Sequence, residues 1–348
     1  MYTNYTVTKN DNSTVTIEGE LPHEELHKHR EHVIKELGQD ISIDGFRKGH
    51  VPEKIVIERV GEQALFTEMA EHALSEHYPK MLMHHDIDAI GRPDITITKL
   101  AAGNPLGFKI TTAVFPKFDL PSYKDLAQKH VKEHGNKEVV VTDEDVQIFI
   151  DNALRQYRDA ENKKNGVETK TDDALPELTD DLVKNFGTFK DVDDFKQKIR
   201  EGIMYDKRHK AQDALRIDIM NDILAHTNVT LPDILIEAEL DKMYAQFRGD
   251  IERFGIKPDE YMEHLKKTEA DLRKEWRSDA EKSAKQQLIL HEIGLKENIQ
   301  PSPEEIKKET DHILEHYPDA KRPNVEAYVA TTLGNQKVLE FLEKQKNA

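Results

Sequence analysis

No cysteine occurs among the 348 residues, which excludes disulfide staples, thiolate metal sites and cysteine nucleophiles. No window reaches the ~18 apolar residues of a membrane span, and Met1–Val7 has no cationic start leading into an apolar run. A cytoplasmic, unexported chain with no membrane partner is expected. Also missing are a Gly-Lys-Ser/Thr phosphate loop, a dinucleotide fingerprint and a Gly-x-Ser-x-Gly elbow. Nucleotide and serine-nucleophile chemistry therefore lack support, and no cofactor is expected. Positive charge is in deficit: 67 acidic residues against 50 basic ones give a net charge of −17, which repels bulk nucleic acid and excludes a DNA-coating role.

What is present is charge and helix. Charged residues make up 34% and mean hydropathy is −0.73, so much of the surface is solvated, while the 37% hydrophobic share can still fill cores. The length allows two or three domains. Against the acidic background one stretch stands out. Between residues 45 and 60, Arg47, Lys48, Lys54 and Arg59 face Glu53 and Glu58, a local net of +2 that leaves −19 elsewhere.

The centre of that stretch is Asp44-Gly45-Phe46-Arg47-Lys48-Gly49-His50-Val51-Pro52. Two glycines let the backbone turn at both ends, so Phe46, Arg47 and Lys48 are expected to project together. A ring beside two cations suits a surface that stacks and meets phosphate or carboxylate. The plain alternative is an ordinary basic turn. Pro52 and the pattern of residues 53–60 predict a helix at its foot.

Along the chain, alternation over residues 13–20 predicts a strand with Val15 and Ile17 inward. A helix follows from Pro22 to Leu37 through Leu26, Val33 and Ile34, with Gly38 as its stop, and another runs from Gln63 to Met83. Strands at 95–97 and 108–114 flank the Gly103-Asn104-Pro105 turn. This order predicts an α+β N-terminal domain over residues 1–118, helices on a small antiparallel sheet. Pro116 and Pro121 mark its edge, and residues 119–141 read as an extended linker.

Residues 142–348 read as a mostly α-helical, arm-bearing domain. Thr142 caps a helix whose buried face is Val146, Phe149, Ile150, Ala153, Leu154 and Tyr157. Residues 159–173 are polar and read as loop or helix fringe. Long helices follow at 195–227, from Pro232 through Phe254, at 269–297 and at 324–344, with Ser302-Pro303-Glu304-Glu305 as a capping box.

Seventeen histidines raise the question of metal. His23, His27, His29 and His32 share one helix, and His23 with His27 has a chelating spacing. No third ligand is placed by sequence, so a solvated helix face is the expectation and no metal site is assigned; His84 and His85 read the same way. Glu144-Asp145 and Asp193-Asp194 read as helix starts and not as paired catalytic carboxylates. Met204, Tyr205, Met220, Met243, Tyr244, Phe247 and Trp276 suit adaptable binding of unfolded segments, though helical core explains each one too.

Gly45-Phe46-Arg47-Lys48-Gly49-His50-Val51-Pro52 closely resembles the ribosome-binding signature of the trigger factor family, bacterial chaperones of the nascent-chain exit. The family usually carries Lys where this chain has His50, which is mostly neutral at neutral pH when unperturbed. The resemblance implies that Gly45, Phe46, Arg47, Lys48, Gly49 and His50 contact the large ribosomal subunit at its exit tunnel. It also implies an ATP-independent chaperone that shields nascent polypeptides, with a homodimer off the ribosome. In that family a prolyl-isomerase domain related to the FK506-binding proteins follows a helix like 142–158. Here about fifteen residues separate the flanks, so the insertion is missing at about 159–174, and an enzyme is not expected. Two rivals remain: a peptidylprolyl isomerase acting through an unrecognised site, and an off-ribosome holdase or assembly chaperone.

Overall fold

Alternating apolar residues build the first sheet of this computed structural model, which describes residues 5–40, 51–134, 139–166 and 174–345. β1 (Tyr5–Asn10) and β2 (Thr14–Leu21) form a hairpin, with Ser13 at a left-handed φ of 52° in the turn. After α1 (His23–His27) and α2 (Arg30–Asp40) come α3 (Glu53–Val60) and α4 (Glu62–His84), then β3 (Ala89–Lys99) and β4 (Leu106–Val114). All neighbouring strands pair antiparallel in the order β1-β2-β4-β3. Ile17 lies opposite Ile110 and Gly19 opposite Phe108, so the inward residues of β2 and β4 share one face.

That face is covered chiefly by α4. Leu65, Met69, Ala73, Leu74 and Met81 recur at helical spacing and pack with Ile17, Leu26, Leu106, Phe108 and Ile110 in one core. A polar link joins helix and sheet, since the Tyr78 hydroxyl donates to Thr112 Oγ1 at 2.8 Å.

Four differences from the sequence expectations stand out here. The N-terminal residues Tyr5–Asn10 form an edge strand that was not anticipated. Gly38 does not stop its helix: α2 continues to Asp40, and a Cβ at Gly38 would meet Val56 of α3 at an ordinary contact distance of 3.6 Å. The helix expected from Pro22 is broken into α1 and α2 at Lys28–His29. Residues 119–141 are not extended throughout, because Tyr123–His134 form α5; Tyr123, Ala127 and Val131 recur every four residues and are buried.

The chain then continues through α6 (Asp143–Lys164), α7 (Asp180–Val183) and α8 (Val192–Ala225). Next come α9 (Asp233–Arg253), α10 (Pro258–Leu265), α11 (Glu269–Lys296), α12 (Pro303–His316) and α13 (Arg322–Glu343). Two compact units result. One holds residues 1–119 with 228–287, and the other holds residues 120–227 with 288–348.

In the first unit, the C-terminal piece is built on an α9–α11 pair. Arg277 Nη1 donates to Glu237 Oε1 at 2.9 Å along its outer edge. Inside it, Glu239 is buried and accepts from Ser283 Oγ at 2.7 Å and from Gln287 Nε2. In the second unit, α6 packs Val146, Ile150 and Leu154 with Val183, Phe195 and Ile199, joined by Leu175, Leu178 and Phe186. Residues on both sides of 167–173 thus share one core. Phe149, expected inward, is 51% exposed, because Val146, Ile150 and Leu154 already fill the stripe on that core. Phe254, expected to extend the α9 seam, is the C-cap residue and is 82% exposed.

Candidate functional site

Gly45, Phe46, Arg47, Lys48, Gly49 and His50 lie outside the described residues, and the helices that flank them in the chain are described instead. These are α2 on one side and α3 on the other. α3 starts with Pro52 as its N-cap at φ −58°, and Val56 is 1% exposed. Arg30 Nη2 donates to Glu53 Oε1 at 2.7 Å, joining the first residues of the two helices. At the other end of α2, Gly38 stands where a Cβ would touch Val56 Cγ2 at 3.6 Å. The segment between Asp40 and Val51 therefore leaves and re-enters two helices that are fixed to one another. Lys54 and Arg59 are exposed on α3, and among the described residues neither makes an ion pair. In the sequence they follow Arg47 and Lys48 and carry the same sign of charge.

Large apolar side chains also stand exposed on the helices. On the second unit these are Ile148 and Phe149 of α6, Tyr205 and Ile217 of α8, Leu295 of α11 and Tyr328 of α13. On the first unit, Phe254, Ile256 and Leu265 follow one another around α10. The Met and aromatic candidates divide. Tyr205 is exposed, Met220 is buried, and Tyr244, Phe247 and Trp276 are half-buried. Phe247 holds Trp276 and Tyr261 edge-on at 5.4 and 6.0 Å, while Arg248 and Arg273 stand over the Tyr244 ring. These rings serve the packing of α9 against its neighbours.

The carboxylate pairs do cap helices. Asp145 closes a capping box with Thr142 and takes a hydrogen bond from Lys207 Nζ at 2.6 Å, and these contacts push its carboxyl down to about 2. Asp194 accepts from the Lys190 amide at 3.0 Å.

The histidines separate into small groups. His23 and His27 touch edge-on at 5.4 Å on α1. His77 is buried beside Glu25, and burial pushes its pKa down. His84 and His85 close α4, with His85 Nε2 at 3.1 Å from the Tyr5 hydroxyl. His32 of α2 meets His72 of α4, with Glu36 between them. Spacing along one helix groups His32 with its neighbours and cannot supply His72, which lies forty residues further along the chain.

Comparison with known proteins fits both parts of the chain. Residues 3–153 match the model of "Bacterial trigger factor protein (TF)", and residues 191–346 match that of its C-terminus. Trigger factor of Halalkalibacterium halodurans is 26% identical over an alignment of 408 residues, covering 96% of this chain and 94% of that protein. Trigger factor of Halothermothrix orenii is 24% identical over 421 residues, covering 95% and 96%. The 408-residue alignment exceeds the chain's 348 residues by 60, so at least that many residues of the relative have no counterpart here. Among solved structures, one described as "Promiscuous Substrate Recognition in Folding and Assembly Activities of the Trigger Factor Chaperone" superposes with a TM-score of 0.53 at 15% identity. It covers 97% of this chain and 99% of that one, a likeness of fold. With both family models matched across most of its length, the chain belongs to the bacterial trigger factor family.

Proposed function

We propose that this protein is an ATP-independent chaperone of the cytoplasm that docks on the large ribosomal subunit beside the exit tunnel and shields emerging polypeptides. The observation that carries this reading is the signature Gly45-Phe46-Arg47-Lys48-Gly49-His50 in a member of this family, set between two helices tied by Arg30–Glu53. Phe46 supplies a ring that gains by leaving water, and Arg47 and Lys48 supply charges that meet rRNA phosphate or acidic protein. The remaining −19 keeps the body from spreading over the same phosphate-rich surface. In domain terms, residues 1–118 anchor and residues 142–348 receive the client.

Binding would be weak and multi-point. Exposed Ile148, Phe149, Tyr205, Ile217 and Tyr328 offer separate apolar contacts, which suits segments without fixed structure. Its mode is holding and not catalysis. Only 37 residues, 154–190, lie between the two matched family models, and part of them continues α6. Leu154 and Val183 share one core across that interval. A chain below about 40 residues rarely builds an independent core.

Ribosome co-sedimentation tests the docking. The triple variant Phe46→Ala/Arg47→Ala/Lys48→Ala should leave the pellet, and equal pelleting would overturn the docking surface. A proline-limited refolding assay tests the mode of action. Uncatalysed exchange takes tens to hundreds of seconds, and the protein should not shorten that phase; an isomerase would.

A further inference from the structure

α2 and α4 bring three metal-type donors to one place on the surface. His32 and Glu36 stand one helical turn apart on α2, a spacing that aims both side chains the same way. His72 enters from α4. Glu36 Oε2 lies 2.9 Å from His72 Nε2 and 3.6 Å from His32 Nε2, and all three donor atoms fall within 4.8 Å of one another. We propose that His32, Glu36 and His72 form a binding site for a divalent transition cation of the Zn²⁺ class.

Geometry and donor chemistry both favour this. Bonds of about 2.0–2.1 Å in tetrahedral array set neighbouring ligand atoms about 3.3 Å apart. The two distances on Glu36 bracket that figure. The remaining His32–His72 edge closes by turning the His32 side chain, which is 63% exposed. Two imidazoles and one carboxylate are a borderline-soft set, which selects Zn²⁺, Co²⁺ or Ni²⁺ over Mg²⁺ or Ca²⁺. Three protein donors leave a fourth position for water.

The surroundings support the site. The His29 ring lies beside His72 at 6.1 Å and 28°, and His29 Nε2 is buried without a hydrogen-bond partner, 3.5 Å from Glu76 Oε2. A bound cation would tie α2 to α4 just before the chain enters residues 41–50. The proposal does not depend on ribosome docking, because it concerns only these helices.

The test uses the full chain stripped with chelator and titrated with Co²⁺ and then Zn²⁺. Co²⁺ in a four-coordinate nitrogen and oxygen field should give visible absorption that Zn²⁺ removes, with one equivalent bound. His72→Ala, His32→Ala and Glu36→Gln should each weaken Zn²⁺ binding by at least about tenfold. Because these side chains are at the surface, circular dichroism should show all three variants folded. The double variant His23→Ala/His27→Ala, which removes the other spaced pair, should bind as the unaltered chain does. If His72→Ala binds Zn²⁺ as tightly as the unaltered chain, or if binding disappears with His23 and His27, the site is overturned and Glu36 is only an ion-pair partner for the two rings.

Discussion

Ile234, at the second position of α9, fills the space that a Cβ on Gly91 of β3 would need. Gly91 also sits at φ +70°, and nearby the Ser13 hydroxyl donates to the Thr230 carbonyl at 2.8 Å. Within the first unit, the segment that opens α9 is therefore laid on the sheet by one glycine and one hydrogen bond. Two costs follow for Gly91→Ala. The clash is with the far end of a side chain that is 36% exposed and can rotate, whereas the left-handed backbone cannot be relieved. Backbone strain should dominate, at about 1–2 kcal/mol. Denaturant unfolding should show that loss, and adding Ile234→Ala should restore little of it.

Gly202 in α8 and Gly249 in α9 lie inside helices, and a Cβ at either would meet nothing within 4 Å. Glycine there costs helix entropy and gains no close approach. Gly202→Ala and Gly249→Ala should each stabilise by roughly 0.5–1 kcal/mol, read as a rise in urea midpoint with an unchanged slope.

Two capping carboxylates make the second unit sensitive to acid. Asp145 is held down to about 2 by Lys207 first and by the Thr142 amide next; Glu305 is held to about 2 by Lys337 and then the Ser302 amide. Their unfolded values are near the ordinary ~4 of free carboxylates, so below that pH the unfolded chain binds more protons than the folded one. The stability they confer is complete above about pH 4 and is lost as pH falls toward 2. Comparing the chain with Asp145→Asn/Glu305→Gln from about pH 6 to pH 2.5 should show two urea midpoints that converge on acidification.

Glu239 is buried and receives Ser283, Gln287 and Lys242. Removing it leaves the half-buried donors of Ser283 and Gln287 without this acceptor, which costs about 1 kcal/mol. Glu239→Ala should loosen the α9–α11 pair, seen as faster amide exchange in both helices. Glu239→Gln, which keeps an acceptor oxygen, should lose less.

Much of this was legible along the chain. The strand read at 13–20 and found at 14–21, α3 at its stated bounds, the cap at Thr142, the capping box at Ser302 and the long helices followed from alternation, spacing and caps. β1 was missed because an edge strand buries little: Tyr5 and Val7 are only half-buried, which leaves a faint pattern. α5 was missed because flanking prolines and charges outweighed its three buried residues. Phe254 was placed in a seam because periodicity does not reveal where a helix stops packing. The cluster of His32, Glu36 and His72 was half visible, as two donors on one turn without the third.

By itself, the sequence determined which segments could be helix or strand, where the capping residues start them, and the family signature at residues 45–50. Those are local properties, set by side chains within a few positions of one another. Tertiary structure alone decided that β4 lies between β2 and β3, that Leu154 and Val183 share a core, that Phe149 faces outward, and that His72 reaches Glu36. Each of these joins residues distant in the chain, and such pairings are fixed only when the whole apolar surface is packed at once.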